Sequence, residues 1–255
     1  MPKFSLFLSF CFVSFLGSIL NSSIGQTQTQ GPIRTVLALD RVSSVVEAPM
    51  QMKLARVMIP AGATADYIGG HSLIYLLSGA IFVVAGDEKQ SVQQGDGALI
   101  TARKNMVLQS GPDAAAEILQ FQLVSMSDSG TSLIRAPAIT TELHRMAMPP
   151  TLKPGPHELS LTRVTIPAGS LQPRAHTRSG AALYYVLSGG SITFWPSATV
   201  DGLVGESRTE PRPAGAIQEE PFGFIHSWSP KADSALLLLQ ATVSQEGAPE
   251  IIFVK

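Results

Sequence analysis

Two long segments of this chain resemble each other, and this internal repeat is the strongest constraint on its fold. The first begins at Leu54 with LARVMIPAGATADYIGGHSLIYLLSGA, and the second begins at Leu161, 107 residues later, with LTRVTIPAGSLQPRAHTRSGAALYYVLSGG. In both copies an alternating pattern is interrupted by Gly and Pro and then leads through LSG into a glycine turn. Alternation bounded by Gly and Pro is typical of β-strands and hairpins. The repeat therefore predicts an all-β chain built from two copies of one barrel or sandwich.

The two copies continue in the same order, and a connector separates them. Residues 126–149 are rich in Ser, Thr and Pro, which is typical of a linker. We predict one short helix in this connector, near Thr141 to Met148, and solvent-exposed side chains for His144 and His157. Strongly apolar strands are predicted at the end of each copy, from Glu117 to Val124 and from Ala235 to Val243.

The first 25 residues have the three-part layout of a secretory signal peptide. Lys3 supplies a positive charge, the run from Phe4 to Leu20 is apolar, and the small residue Gly25 is placed for cleavage. We therefore predict an exported protein, periplasmic or extracellular, cleaved near Gly25 and without a stable membrane span afterwards. An uncleaved membrane anchor is the alternative, because 17 apolar residues approach the length that spans a bilayer. The only cysteine, Cys11, lies in this segment, so the predicted mature chain contains no disulfide.

The charge of the chain argues against one class of partner. It has 18 Lys and Arg residues and 19 Asp and Glu residues, which give a net charge of −1. Such a balance offers no basic stripe for phosphates, so we predict no nucleic-acid partner.

The repeat resembles the two conserved motifs of the cupin superfamily. The pattern PAG…YVLSG is followed by a hairpin and then by G-x(5)-P-x-G-x(2)-H, which Gly215, Pro221, Gly223 and His226 form here. The resemblance covers the chain from about Val36 to Val254. It implies a homodimer and two tandem cupin barrels of the double-stranded β-helix or jelly-roll type, that is, a bicupin. The implied domains are 1–25 (signal peptide), 26–125 (degenerate N-terminal barrel), 126–149 (connector) and 150–255 (C-terminal barrel).

The resemblance also implies where a metal ion would bind. Cupin metalloenzymes take two histidines and a glutamate from G-x(5)-H-x-H-x(4)-E-x(6)-G and a third histidine from the second motif. Only His226 keeps a ligand in this chain, and one histidine does not hold a catalytic metal. We therefore predict degenerate metal-binding motifs and no metal cofactor. The matching positions are Ala175, Thr177, Ala182 and His226 in the C-terminal half and Ala65, Tyr67, Ser72 and Met106 in the N-terminal half.

His176 lies between two of these positions, where strand alternation points it away from the barrel interior. A one-residue bulge near Pro173 or Arg174 would turn it inward. His176, His226 and Glu219, or Glu220 in its place, would then form the two-histidine, one-carboxylate set of non-haem iron enzymes. This alternative predicts a divalent metal such as Fe, Mn or Zn and an oxygenase or hydrolase activity.

Without a metal, the C-terminal barrel is predicted to bind a small organic molecule. Ala175, Thr177, Ala182 and Trp228 would contact this ligand, in phase with the lost metal positions. His226 would act as a general acid or base, and Tyr184 would orient an oxygen or supply a proton. The predicted chemistry is a metal-independent proton transfer of the isomerase, cyclase or lyase type. A non-catalytic structural or storage-like bicupin is a third alternative, so the sequence leaves enzymatic activity open.

Arg56 and Arg163 occupy matching places in the two copies, on the strand face opposite their apolar neighbours. An anion-binding arm and a contact that belongs to the fold both fit this repetition, and we favour the second.

Overall fold

The computed structural model describes residues 31–42, 50–101, 106–127, 133–147, 154–171, 173–195, 208–220, 223–230 and 233–254. The predicted signal peptide lies outside these ranges, so export remains a prediction. Within them the chain forms strands, turns and loops, and it contains no helix long and apolar enough to cross a membrane.

The described residues form nineteen strands. The strands of the first half are β1 (Ile33–Val42), β2 (Met50–Ile59), β3 (Thr64–Tyr67), β4 (Ser72–Ser78), β5 (Ala80–Ala85), β6 (Glu88–Gln93), β7 (Gly97–Ile100), β8 (Met106–Ser110) and β9 (Ala116–Ser125). Those of the second half are β10 (Ile139–Ala147), β11 (His157–Ile166), β12 (His176–Arg178), β13 (Ala181–Ser188), β14 (Gly190–Trp195), β15 (Arg208–Pro213), β16 (Ile217–Glu220), β17 (Ser227–Pro230), β18 (Leu236–Gln245) and β19 (Ile251–Phe253).

The N-terminal barrel consists of a five-stranded sheet in the order β10-β2-β9-β4-β7 and a four-stranded sheet in the order β3-β8-β5-β6. Its strands alternate, so that one face of each sheet is buried against the other. The enclosed core is apolar, and it includes Val57, Ile59, Ile81, Leu108 and Ile118.

The C-terminal barrel repeats this plan with a five-stranded sheet in the order β1-β11-β18-β13-β16. A three-stranded sheet, β15-β14-β17, and a two-stranded ribbon, β12-β19, complete it. Its apolar core is smaller than that of the first barrel and is formed by Val164, Ile166, Ala182, Tyr184, Val186, Leu236 and Leu238.

The two barrels exchange edge strands. β1, from the first half, pairs with β11 of the C-terminal barrel, and β10, from the predicted connector, pairs with β2 of the N-terminal barrel. The predicted helix near Thr141 to Met148 is therefore wrong. Thr141 to Ala147 belong to an edge strand instead, because their backbone groups pair with β2, and tertiary pairing of this kind overrides a local helix preference. Met148 lies outside the described residues.

The predicted exposure of the two connector histidines is also incorrect. His157 is fully buried at the start of β11, and its Nδ1 donates to the carbonyl of Gly155 at 2.8 Å. His144 is half-buried in β10 and contacts the carboxylate of Glu219 in the other barrel. The local sequence predicts exposure for these two side chains, in or beside the connector, because it gives no sign of the long-range strand pairing that covers them.

A shared apolar core joins the barrels. Leu54, Leu73 and Phe121 contribute from the N-terminal sheet, and Leu161 and Leu183 contribute from the C-terminal sheet. The repeated arginines cross the same boundary. Arg56 donates to the hydroxyl of Tyr185 at 3.0 Å, and Arg163 donates to the carbonyl of Gly95 at 3.2 Å. These contacts support the fold-level interpretation of the two arginines over the anion-binding arm.

Candidate metal centre

Three buried side chains with metal-ligating atoms converge inside the C-terminal barrel. His176 begins β12, Glu220 ends β16, and His226 directly precedes β17. One ligand atom from each of them lies within 4.8 Å of the other two. Their exposed fractions are 3%, 2% and 0%, so the cluster is shielded from solvent. No second cluster of this type occurs among the residues that the structure describes.

The two histidines are brought together by the backbone. His176 and His226 face each other in an antiparallel bridge, in which each N–H donates to the carbonyl of the other at 2.9 Å. Directly opposite residues in such a pair carry their side chains on the same face. The imidazole ring centroids are accordingly only 4.4 Å apart.

Both imidazole rings are held by their Nδ1 atoms. Nδ1 of His176 donates to the carbonyl of Arg174 at 2.9 Å, and Nδ1 of His226 donates to the carbonyl of Phe224 at 3.3 Å. A carbonyl only accepts, so the proton of each neutral ring is on Nδ1 and the lone pair is on Nε2. This is the arrangement by which proteins orient histidines that bind metals.

Glu220 carries the negative charge of the cluster. Its Oε2 accepts from Nε of Arg178 at 2.8 Å, and its Oε1 accepts from Nε2 of Gln218 at 3.1 Å. Oε1 also lies 2.8 Å from Nε2 of His226. Burial alone would raise the pKa of Glu220, but the neighbouring His226 and Arg178 outweigh it and hold the pKa below its usual value. Glu220 is therefore ionised at neutral pH.

The strand register explains how this carboxylate reaches the site. Ala182 of β13 stands opposite Glu220 of β16, and both side chains are buried. Ala182 is the position at which the cupin motif has its glutamate. The structure therefore places a carboxylate on the strand next to the expected one, on the same face of the sheet.

A chain of ionic contacts surrounds Glu220. Arg178, which is 3% exposed, contacts Glu220, the hydroxyl of Tyr184 and, at 3.0 Å, Glu250. Glu250 also accepts from Arg34 of β1 at 2.9 and 3.0 Å. Burial alone would lower the pKa of Arg178, but Tyr184, Glu220 and Glu250 outweigh this effect and raise the pKa. Burial raises the pKa of Tyr184 well above its ordinary value, so the phenol stays protonated.

The predicted outward orientation of His176 is wrong. His176 and Arg178, two residues apart on β12, both line the interior of the barrel, and Thr177 points to the other side. The inward residues His176, Arg178, Ala182 and Tyr184 are an even number of positions apart, so one alternation runs from β12 into β13. The motif positions Ala175, Thr177 and Ala182 require a change of phase between the two strands, and this chain does not make it. The turn between them is tight, because an added Cβ at Gly180 would be 1.9 Å from the carbonyl oxygen of Val243 in β18.

Of the two carboxylates that the sequence left open, the structure brings only Glu220 to the histidines. Glu219 is the next residue on β16, so its side chain points to the opposite face, where it contacts His144. The ligand set that includes Glu219 is therefore replaced by His176, Glu220 and His226.

A cavity of about 270 Å³ adjoins the cluster. Two of the predicted ligand-contacting or catalytic residues, Tyr184 and Trp228, line it, and His176 forms part of its wall. Ala175, Thr177, Ala182 and the predicted catalytic residue His226 are not among its lining residues. The other side chains that line it are Pro32, Arg34, Val164, Ile166, Pro173, Arg178, Leu238, Gln240, Ile251 and Phe253.

The corresponding region of the N-terminal barrel is packed with core side chains. Ala65, Tyr67, Ser72 and Met106, which occupy the four motif positions, are all buried. Ser72 accepts from Gln120 at 3.0 Å, and burial raises the pKa of Tyr67 to about 12. These residues offer no histidine or carboxylate to a metal ion.

The C-terminal cluster fits a divalent metal ion. Metal–ligand bonds of about 2.1 Å place neighbouring ligand atoms roughly 3 to 4 Å apart, which is close to the spacing of the three side chains. Nε2 of His226 is buried and lies 2.8 Å from Oε1 of Glu220. Because the ring proton is on Nδ1, a nitrogen lone pair and a carboxylate oxygen face each other there, and a cation bound to both would remove the repulsion. The donor set favours the metal alternative over the prediction that no metal binds.

Sequence reasoning missed Arg178, Glu250 and Arg34. Arg178 is separated from His176 by one residue, and this spacing is the only local signal of a shared face. Glu250 and Arg34 lie near opposite ends of the chain and meet only because β1 and β19 both join the C-terminal barrel.

No family model and no curated protein matches this chain. Among solved structures, a variant of oxalate decarboxylase from Bacillus subtilis superposes with a TM-score of 0.57 at 14% identity, over 89% of this chain and 80% of that one. The chain has the bicupin fold. Vicilin from hazelnut, Corylus avellana, shares it, with a TM-score of 0.52 at 12% identity over 82% of this chain and 84% of that one. The bicupin fold accounts for the sequence repeat, and it places the His-Glu-His cluster in the interior of its second barrel.

Proposed function

We propose that this bicupin binds one divalent metal ion in its C-terminal barrel and acts on a small organic molecule in the adjoining cavity, as a metal-dependent oxygenase or hydrolase. The observation that carries the proposal is the convergence of His176, Glu220 and His226 within 4.8 Å, with both Nε2 lone pairs available. Two histidines and one carboxylate are a donor set that binds Fe(II) and other divalent metals and leaves positions open for substrate.

The choice of metal is guided by a structural neighbour. Oxalate decarboxylase from Bacillus subtilis has Mn(II) centres, and its chain superposes on this one with a TM-score of 0.54 at 13% identity. Manganese is therefore the first ion to test, followed by iron and zinc. A bound metal would supply Lewis acidity, or redox chemistry if it is iron or manganese.

The protein's own residues have separable roles in this proposal. The carbonyls of Arg174 and Phe224 orient the two histidines. Arg178 binds Oε2 of Glu220 and so leaves Oε1 directed toward His226. The protonated phenol of Tyr184, at the cavity wall beside Arg178, is a hydrogen-bond donor at the boundary between the charged cluster and the apolar cavity.

The metal-independent alternative makes a different prediction for the same residues. It would use His226 and Tyr184 for proton transfer, with Glu220 as the partner of His226 at 2.8 Å. The hydrogen bond from Nδ1 of His226 to the carbonyl of Phe224 favours the metal, because it places the ring proton away from Glu220, whereas an acid–base pair needs a proton between Nε2 and Oε1. Export and the homodimer remain proposals that follow from the predicted signal peptide and from the cupin resemblance.

Metal content tests the proposal directly. We expect elemental mass spectrometry of the untagged protein, purified without chelators and exchanged into Mn²⁺, to give close to one metal ion per chain. His226→Asn and Glu220→Gln should lose most of this metal, because each removes one of three ligands. Glu219→Gln is the matched control, since the neighbouring residue has the same chemistry but points to the other face of β16.

The outcomes separate the alternatives. Thermal unfolding of each variant shows whether it is folded, because removal of one member of a buried ion pair costs about 3 to 5 kcal/mol. A wild-type protein without metal after exposure to Mn²⁺, Fe²⁺ and Zn²⁺ would contradict the proposal and favour proton transfer by His226. Equal metal content in Glu219→Gln and a folded Glu220→Gln would contradict the ligand assignment.

A further inference from the structure

The walls of the 270 Å³ cavity are mostly apolar. Val164, Ile166 and Leu238 belong to the strands of the five-stranded sheet, and Ile251 and Phe253 belong to β19. The volume is below the range of about 300 to 1,000 Å³ that is usual for drug-sized ligands. The cavity therefore suits a small molecule whose body is apolar.

The two arginines and the glutamine of the cavity wall already have hydrogen-bond partners. Arg178 contacts Glu220, Glu250 and Tyr184, and Arg34 donates twice to Glu250. Gln240 donates to Glu250 as well. A ligand that used these groups would have to break existing buried contacts, which is costly. Recognition of a polar ligand atom therefore falls to the inner end of the cavity, where His176 forms the wall.

The charges around the cluster balance without a metal. The positive charges of Arg178 and Arg34 are matched by the negative charges of Glu220 and Glu250. Glu210, beside Trp195, is paired with Arg212. Histidines bind metals in their neutral form, so they do not offset the charge of a cation. A divalent ion would therefore add positive charge that the described residues of this region leave uncompensated.

A buried net charge is unfavourable unless a counter-charge comes close. We infer that the ligand of this cavity is a small carboxylate with an apolar body, whose carboxylate lies at the inner end beside His176 and whose body contacts Phe253, Val164 and Leu238. The inference rests on the proposed metal site, because the metal supplies the excess positive charge.

Titration calorimetry with matched acid and amide pairs tests this inference. The probes are butanoate, hexanoate and octanoate, each compared with its neutral amide, added to protein whose Mn²⁺ content has been measured in the same sample. We expect at least one acid to bind the Mn²⁺-loaded protein roughly tenfold or more tightly than its amide, and the preference to disappear in the metal-free protein.

β19 offers a matched pair of variants for the apolar part. Phe253 lines the cavity, although it is 54% exposed, and the preceding residue Ile252, 43% exposed, is not among the lining residues. Phe253→Ala should weaken binding of the acid by roughly fivefold to tenfold, because apolar contact area is lost, and Ile252→Ala should leave it unchanged. Phe253 is itself partly exposed, so loss of folding is not expected to interfere.

The results distinguish failure of the inference from failure of the proposed function. Protein that retains no Mn²⁺ overturns the proposed metal site, and the inference with it. Protein that retains Mn²⁺ but binds none of the acids, or binds acids and amides equally, overturns the inference alone. Equal effects of Phe253→Ala and Ile252→Ala would overturn the assignment of the apolar body to this cavity.

Discussion

Glu220 is the residue on which the C-terminal site depends. It lies opposite Ala182 on the neighbouring strand, so a carboxylate reaches the histidines although the motif position itself holds alanine. Opposite residues in an antiparallel pair have Cβ atoms about 4.5 to 5.5 Å apart and share one face. A carboxylate at position 182 on β13 or at position 220 on β16 can therefore reach the two histidines.

This register leads to a double-mutant prediction. We expect Glu220→Ala to lose most of the bound metal and the combination of Ala182→Glu with Glu220→Ala to regain a measurable part of it, as judged by elemental mass spectrometry. The regained metal would come from a carboxylate placed on the same face one strand away. If the double variant is folded and binds no more metal than Glu220→Ala, the two positions are not equivalent and the register argument fails.

Lowering the pH should destabilise the metal-free protein through His176 and Glu220. Burial is the largest cause of a lowered pKa for His176, and the nearby His226 adds to it; the pKa of Glu220 is lowered in spite of burial. The unfolded chain therefore binds protons more readily than the folded chain, so stability falls as pH decreases. The contribution of His176 is complete above its unfolded pKa of about 6.5 and is lost below it, and that of Glu220 is lost below about 4.3.

Urea denaturation at several pH values measures this effect. Between pH 7.5 and 5.5, His176 lowers the free energy of unfolding by at most about 1.4 kcal/mol per pH unit. His176→Gln should reduce this slope, because glutamine does not titrate. A slope that is the same in the wild type and the folded variant would show that His176 does not control acid stability.

At the scale of elements, the short ribbon of β12 and β19 decides which side chains face the cavity. The turn at Gly180 brings the chain against the backbone of β18 and joins β12 to β13. His176 and Arg178 face the same side as Ala182 and Tyr184, so strand alternation carries across this turn.

Gly180→Ala should therefore affect both stability and the site. An added Cβ would lie 1.9 Å from a backbone oxygen of β18, so β12 or β18 has to shift. We expect a lower melting temperature in circular dichroism and a loss of bound metal. Gly70→Ala is the control, because an added Cβ there meets no atom within 4 Å. Similar melting temperatures and metal content in both variants would contradict the role assigned to this turn.

At the scale of the whole molecule, the two barrels share edge strands and a core, so we expect them to unfold together. β1 and β10 each complete the sheet of the other half, and the apolar core between the sheets contains residues of both barrels. Arg56 and Arg163 add polar contacts across the same boundary.

Tryptophan fluorescence tests this coupling because both tryptophans, Trp195 and Trp228, lie in the C-terminal barrel. Phe121 belongs to the N-terminal sheet and is buried in the shared core. We expect Phe121→Ala to lower the stability reported by fluorescence by about 3 to 5 kcal/mol, since a large buried side chain is removed. Phe82→Ala, at a half-buried position on β5 outside this core, should have a much smaller effect. A fluorescence transition unchanged in Phe121→Ala would show that the barrels unfold independently.

The sequence by itself determined the two all-β repeats, the strongly apolar strands β9 and β18, and the inward position of His226, because alternation and Gly or Pro turns are local properties. The cupin resemblance identified the degenerate motif positions, including the packed set Ala65, Tyr67, Ser72 and Met106.

Only the tertiary structure decided the rest. It turned His176 inward, chose Glu220 over Glu219, joined Arg178 to Glu250 and Arg34, and made a strand of the predicted connector helix. Each of these outcomes depends on pairing between distant segments, including the bridge between His176 and His226. A single sequence specifies the side-chain period within a strand, but the phase across a turn and the partner across a sheet are set by which backbones meet.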